Sequence, residues 1–119
     1  MGEERRATPR IRAYRPVRLH HAGIPRVVET LTKDLALGGL RCVSPILFPI
    51  STEVNVELML SSGAEPLAMR GRAAWFCTIP HSEQFDLGIS FLDLPSADKR
   101  RLSVYLDRLS SQSALSLAR

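Results

Sequence analysis

Residues 53–60 read Glu53-Val-Asn-Val-Glu-Leu-Met-Leu60 (EVNVELML), and their alternation decides the fold class. Val54, Val56 and Leu58 fall on one side of an extended strand, while Glu53, Asn55 and Glu57 fall on the other, because successive strand side chains point to opposite faces. Working outward, segments 14–21 (YRPVRLHH), 26–33 (RVVETLTK), 39–44 (GLRCVS), 67–78 (LAMRGRAAWFCT) and 84–92 (QFDLGISFL) read as strands too. Turn residues separate them at His21-Ala22-Gly23, Gly38-Gly39, Ser61-Ser62-Gly63 and Pro80-His81-Ser82. Six short strands joined by tight turns predict an antiparallel barrel or sandwich, since an open sheet of this size would expose its edges.

The period changes at residue 95. In PSADKRRLSVYLDRLSS, Leu102, Tyr105, Leu106 and Leu109 stand at i, i+3, i+4 and i+7, which is one helical stripe. Pro95 suits a first-turn position, and Ser96 or Asp93 suits the cap. The stripe is expected to pack across the barrel mouth. The reading divides the chain into a flexible basic arm (1–13), a barrel with its helix (14–110) and a frayed Ser-rich tail (111–119).

A chain of 119 residues, 45% apolar and 24% charged, fits one domain with one core. No apolar run approaches the ~20 residues needed to span a bilayer, and no signal-peptide h-region is present. The expectation is a cytoplasmic protein with no membrane insertion. Cys42 and Cys77 lack metal-ligand spacing and read as buried free thiols. His20 and His21 are adjacent and His81 stands alone, so no metal site is expected.

Charge is unevenly placed. Arg5, Arg6, Arg10, Arg12, Arg15 and Arg18 oppose only Glu3 and Glu4, a net of +4 that equals the net charge of the whole chain. Residues 19–119 therefore balance, and the basic character belongs to the arm. Such separation points to an anionic partner met by the arm. The preference for arginine over lysine fits bidentate phosphate or carboxylate recognition, although a GC-rich genome produces the same bias.

Two short motifs remain: Arg6-Ala-Thr-Pro-Arg10, an RxxxR, and Asp34-Leu-Ala-Leu-Gly-Gly39. Each alone is common. In this order, ahead of a six-stranded pattern with a terminal helix, the chain resembles the PilZ domain family of bacterial cyclic di-GMP receptors. That family carries an RxxxR on an N-terminal arm and a [D/N]xSxxG on a strand turn. Arg70-Gly71-Arg72-Ala73-Ala74-Trp75 looks like its G-x-V-x-W strand, and Gly88-Ile89-Ser90-Phe91 like its G-[IV]-x-F strand. The resemblance covers about Glu4 to Leu109. It implies an all-β fold, a six-stranded antiparallel barrel with a C-terminal helix packed on it.

The resemblance also implies a site. Arg6 and Arg10 match the two arginines, Asp34 the acidic position and Gly39 the closing glycine, whereas Ala36 stands where the family has serine. Arg5 precedes the motif, which in the family goes with an intercalated pair of ligand molecules. Gly38 and Arg41 complete the expected ligand-binding set. No cofactor is expected beyond the ligand itself.

The chemistry is consistent with these roles. Cyclic di-GMP presents two phosphates and two guanines. A guanidinium fork holds phosphate oxygens or the O6/N7 edge of guanine. Arginines four residues apart on an extended arm lie up to ~13 Å apart, and Pro9 biases Thr8 away from helix. Asp34 offers an acceptor for the guanine N1–H and N2–H. Gly38 and Gly39 allow a backbone conformation and a close ligand approach that a side chain would block. Losing the serine hydroxyl at Ala36 removes a neutral hydrogen bond of roughly 0.5–1.5 kcal/mol, a reduction of roughly 2–13-fold in affinity.

The remaining residues read more plainly. Arg12, Arg15 and Arg18 are expected as strand-edge or solvated charges, and Trp75 as a core or rim residue. Arg70 and Arg72 share a strand face and could extend a basic surface; Asp98 to Arg101 form a solvated helix face. No nucleophile has a partner, no G-x-S-x-G elbow and no P-loop occurs, so an enzyme is not expected. With four residues ahead of Arg5, output is expected through an altered surface read by an unidentified protein partner. An alternative is a PilZ-like interaction module that has lost the ligand. A nucleic-acid-binding arm is disfavoured by the neutral body, so no DNA or RNA partner is expected.

Overall fold

The computed structural model describes residues 10–21 and 23–117. Among the described residues, seven strands precede one helix: β1 (Ile11–Arg12), β2 (Pro16–His21), β3 (Ile24–Ala36), β4 (Gly39–Ser44), β5 (Glu53–Leu58), β6 (Leu67–Thr78), β7 (Phe85–Phe91) and α1 (Ser96–Leu117). β1 and β2 both lie antiparallel to β3, in nearly continuous register. The order β3-β2-β5-β6-β7-β4 returns to β3 through the β3–β4 pairing, closing a six-stranded antiparallel barrel. Closure removes edges along the barrel body.

The alternation read at 53–60 is the barrel's inside–outside code. Val54, Val56 and Leu58 are buried while Glu53, Asn55 and Glu57 are exposed, and Val17 and Leu19 face them from β2. Leu35, Leu40, Phe48, Leu67, Leu87 and Ile89 complete the interior. Each such aliphatic or aromatic side chain contributes about 1.5–3 kcal/mol relative to exposure. The helical stripe is also in place. Leu102 and Leu106 are buried in the same core, with Tyr105 and Leu109 packed against it.

Several boundaries differ from the sequence reading. Ile11–Arg12 pair with β3 and Ala13 is buried, so part of the expected arm is strand. β3 runs three residues beyond Lys33, which places Asp34 within a strand and leaves only Leu37 and Gly38 as the turn. The helix continues to Leu117, through the stretch expected to fray. The carbonyl of Pro95 accepts the Lys99 N–H at 2.8 Å and so starts the helix. Asp93 instead accepts from the Arg70 N–H and Nε. Cys42 is buried as expected, but Cys77 is exposed, because β6 extends past the barrel there. Among the described residues, no helix is long and apolar enough to cross a membrane.

Candidate functional site

Period two carried on from Val28, Thr30 and Thr32 would aim Asp34 into the barrel. Val28 and Thr32 are indeed buried, yet so is Leu35, while Asp34 is only partly covered. The switch of phase is a β-bulge. Thr32 stands opposite Cys42 and Asp34 opposite Arg41, so Lys33 is the extra residue. A bulge reverses the faces of everything beyond it and turns the chain more sharply. Asp34 thereby comes to the outer surface.

A single side chain anchors this region. Thr32, fully buried, donates its hydroxyl to the Ala13 carbonyl at 2.6 Å and accepts the Arg15 N–H at 2.9 Å. These bonds bridge the gap between β1 and β2. They tie β1 to the outer end of β3, where Arg12 stands opposite Asp34.

Asp34 is shared by two arginines. Arg10 Nε donates to Oδ1 at 3.0 Å and Arg10 Nη2 lies 2.8 Å from the same oxygen; Arg41 Nε donates to Oδ2 at 2.9 Å. The carboxylate is 14% exposed, against 47% for Arg10 and 35% for Arg41. With Arg12 opposite Asp34 on the same face, three arginines share this surface with one carboxylate, a local net of +2 on these four residues. The mainly basic, partly wet surface left over is suited to a dianion.

The same outer row continues. Arg41 stands opposite Gly88 of β7, and Gly88 opposite Trp75 of β6. A Cβ at Gly88 would overlap the Trp75 indole, so the indole lies over that glycine. Trp75 also reaches the outside by a bulge, between Ala73 and Trp75. Leu67, Met69, Gly71 and Ala73 are buried in strict alternation, and without the bulge Trp75 would follow them inside. It is instead 40% exposed.

The expected site residues fare differently. Arg10, Asp34 and Arg41 are brought together. Ala36 shares the Asp34 face two residues on, and is buried opposite Gly39. Gly39 has a packing role: a Cβ there would run into the Ile89 carbonyl. Gly38 has open space around it. Neither takes a positive φ, which among described glycines only Gly63 does, so the conformational argument for this glycine pair is corrected. Arg5 and Arg6 lie outside the described residues.

Two residues of this outer surface, Arg12 and Trp75, were not in the expected set. Arg12 was readable from its i+2 spacing to Arg10, since residues two apart on a strand share a face. Trp75 was not readable, because its exposure depends on a bulge. Arg70 does not extend a free basic surface, because Asp93 and Glu53 pair with it at 2.8 and 3.3 Å and hold its guanidinium more firmly charged.

The family model described as PilZ domain matches residues 4–108. No curated protein matches the chain in sequence. Among solved structures, the chain is similar to the Bacillus subtilis inhibitor of motility MotI/DgrA, with a TM-score of 0.77 and 17% identity over 91% of this chain and 52% of that one. It is similar to the PilZ domain of YcgR from Escherichia coli, solved with c-di-GMP, with a TM-score of 0.72 and 15% identity over 97% of this chain and 98% of that one. The K. pneumonia MrkH–c-di-GMP complex gives 0.77 and 18% over 92% of this chain and 54% of that one. The chain thus spans about half the length of MotI/DgrA and MrkH. At these identities the likeness is one of fold.

Proposed function

The chain belongs to the PilZ domain family, and from that premise we propose that it is a cyclic di-GMP receptor that signals through an altered surface to a protein partner. The observation that carries this reading is the convergence of Arg10 and Arg41 on the single carboxylate of Asp34, with Arg12 directly opposite on the neighbouring strand. Three guanidiniums and one carboxylate leave two positive charges for the ligand's two phosphates. Asp34 is the acceptor for a guanine N1–H and N2–H, and a guanidinium released from it is free to grip phosphate or the O6/N7 edge. Arg6, four residues before Arg10 in the RxxxR motif, and Arg5, which directly precedes the motif, supply further guanidiniums. Trp75, in the same row, offers a ring against which a base can stack. Fold neighbours solved with c-di-GMP support the choice of ligand.

Arg10 and Arg41 already hold Asp34, so the ligand exchanges one set of charge-assisted bonds for another. The exchange reorients the Arg10 segment and β1, and this change of surface is what a partner reads.

A calorimetric titration of cyclic di-GMP tests the proposal, with Arg6→Ala/Arg10→Ala as the control. Saturable binding that the double variant loses is the expected result, and its stoichiometry reports on Arg5. Absence of heat at hundreds of micromolar ligand would sink the receptor reading. Ala36, in the place of the family's serine, favours the second reading in that event: an interaction module that works without the ligand.

A further inference from the structure

β6 is longer than the barrel that it helps to close. β5 covers its outer edge from Leu67 to Arg72, and the connection after β4 covers one residue more. There the Ser51 N–H donates to the Ala73 carbonyl at 2.7 Å and the Ala73 N–H to Thr52 at 2.8 Å. Ala74 is the extra residue of the bulge, and from Trp75 to Thr78 the strand pairs only with β7; the other edge of Ala74–Thr78 meets no strand among the described residues. All five of these residues are exposed.

The composition of this edge is unusual for the chain. Charged residues make up 24% of the protein, yet Ala73–Ser82 (AAWFCTIPHS) contains no Asp, Glu, Lys or Arg. Trp75 and Phe76 are 40% and 39% exposed, and Phe76 packs edge-to-face on Phe85 with ring centres 6.5 Å apart. Ile50, next to the Ser51 that caps the covered part of the edge, is 59% exposed. Interfaces concentrate aromatic residues and exclude charge at their centres. Natural edges are normally guarded by lysine, proline, an inward charge or a bulge; here the bulge lies at the start of the segment, and Trp75–Thr78 beyond it carries no lysine, proline or charge. The bulge at Ala73/Trp75 lies at the base of this segment, and Trp75, Phe76, Cys77 and Thr78 beyond it keep regular register with β7.

What can occupy the edge is set by its hydrogen bonds. Only another extended strand presents N–H and C=O groups in step with it, and an uncharged one can lie beside Trp75 and Phe76 without burying a charge against them. The same edge on a second copy meets both conditions, and antiparallel pairing about a two-fold axis lets each edge satisfy the other. We propose that Ala74–Thr78 of β6 is a homodimerisation edge, joining two barrels through a continuous sheet.

Sedimentation velocity of the full chain over a concentration series tests this. The expected result is a monomer–dimer equilibrium that Cys77→Lys weakens by roughly 100-fold or more, because two like charges would then meet on the shared edge. Glu57→Lys, on the outer face of β5, should leave it unchanged. Hydrogen exchange on the wild-type chain gives a readout free of any folding defect in the variant: amides 74–78 should slow as concentration rises. A wild-type chain that remains monomeric throughout overturns the proposal. So does a dimer untouched by Cys77→Lys, or one whose 74–78 amides exchange as fast as in the monomer.

Discussion

Asp34 and Arg41 face each other directly across the β3–β4 ladder, with Arg41 Nε 2.9 Å from Oδ2, while Arg10 closes on Oδ1 from the other side. Both guanidiniums are about a third exposed or more. The pairs therefore stabilise the fold little, about 0–1 kcal/mol each, and their geometry matters chiefly for the ligand. Arg41→Ala should leave Tm nearly unchanged and weaken cyclic di-GMP binding by roughly 10–150-fold, the range for one charge-assisted hydrogen bond. Calorimetry paired with thermal denaturation separates the two effects.

Ala36 lies on the Asp34 face, so a hydroxyl there would join the same surface. Ala36→Ser is expected to tighten cyclic di-GMP binding by roughly 2–13-fold, the value of one neutral hydrogen bond. A titration in which the substitution has no effect would show that this position does not meet the ligand.

The adjacent glycines should behave oppositely. Gly39→Ala drives a methyl into the Ile89 carbonyl of β7, an overpacking cost of about 1–3 kcal/mol, and each kcal/mol lowers Tm by roughly 4–8 °C. Gly38→Ala meets nothing within 4 Å and should leave Tm unchanged. Any loss of ligand affinity in Gly38→Ala then reports close approach of the ligand alone. Thermal melts of the two variants, followed by calorimetry on Gly38→Ala, make the comparison.

Thr32→Val keeps the side-chain volume but removes the hydroxyl that bridges Ala13 and Arg15. Leaving those backbone groups without it should cost about 1–3 kcal/mol. Urea denaturation measures the loss, and slackened β1 should weaken ligand binding as well, although Thr32 is buried away from the outer face.

The two thiols should separate in a labelling experiment. Burial, with a smaller contribution from the nearby Asp86 charge, pushes the Cys42 thiol up to about 12. It therefore stays protonated and inert through neutral and mildly alkaline pH, while Cys77 is open to solvent. The native chain should take up one equivalent of a thiol reagent rapidly, and a second only on unfolding. Because a raised folded pKa favours the protonated native state, this contribution to stability is full below the ordinary thiol pKa of 9.0 and fades as pH climbs toward 12. A second fast equivalent in the native chain at pH 8 would contradict the burial of Cys42.

Much of this architecture was legible in the residues. Alternation at Glu53–Leu58 and Leu67–Ala73, the turn residues between strands and the stripe Leu102–Tyr105–Leu106–Leu109 each express a local rule, so the barrel strands and the helix could be placed from sequence alone. Arg10 and Asp34 were identified as candidates by motif, and Arg41 by its nearness to the second motif. Gly38 and Gly39 were identified by motif as well, but for a conformational reason the backbone does not use.

What sequence by itself determined, then, is the period of each strand, the uneven charge and the identity of the arginines and the carboxylate. Tertiary structure decided which way the decisive side chains point. Asp34 and Trp75 both sit one step past a run of inward-facing residues, and both are turned outward by a bulge. A bulge is not a property of the strand that bears it. It forms where two distant strands fall out of step, and at Asp34 the neighbouring β1–β2 break is held by Thr32 bonding to Ala13 and Arg15, seventeen or more residues away. Period two is local, whereas the phase of that period is set by partners that only the closed barrel brings together.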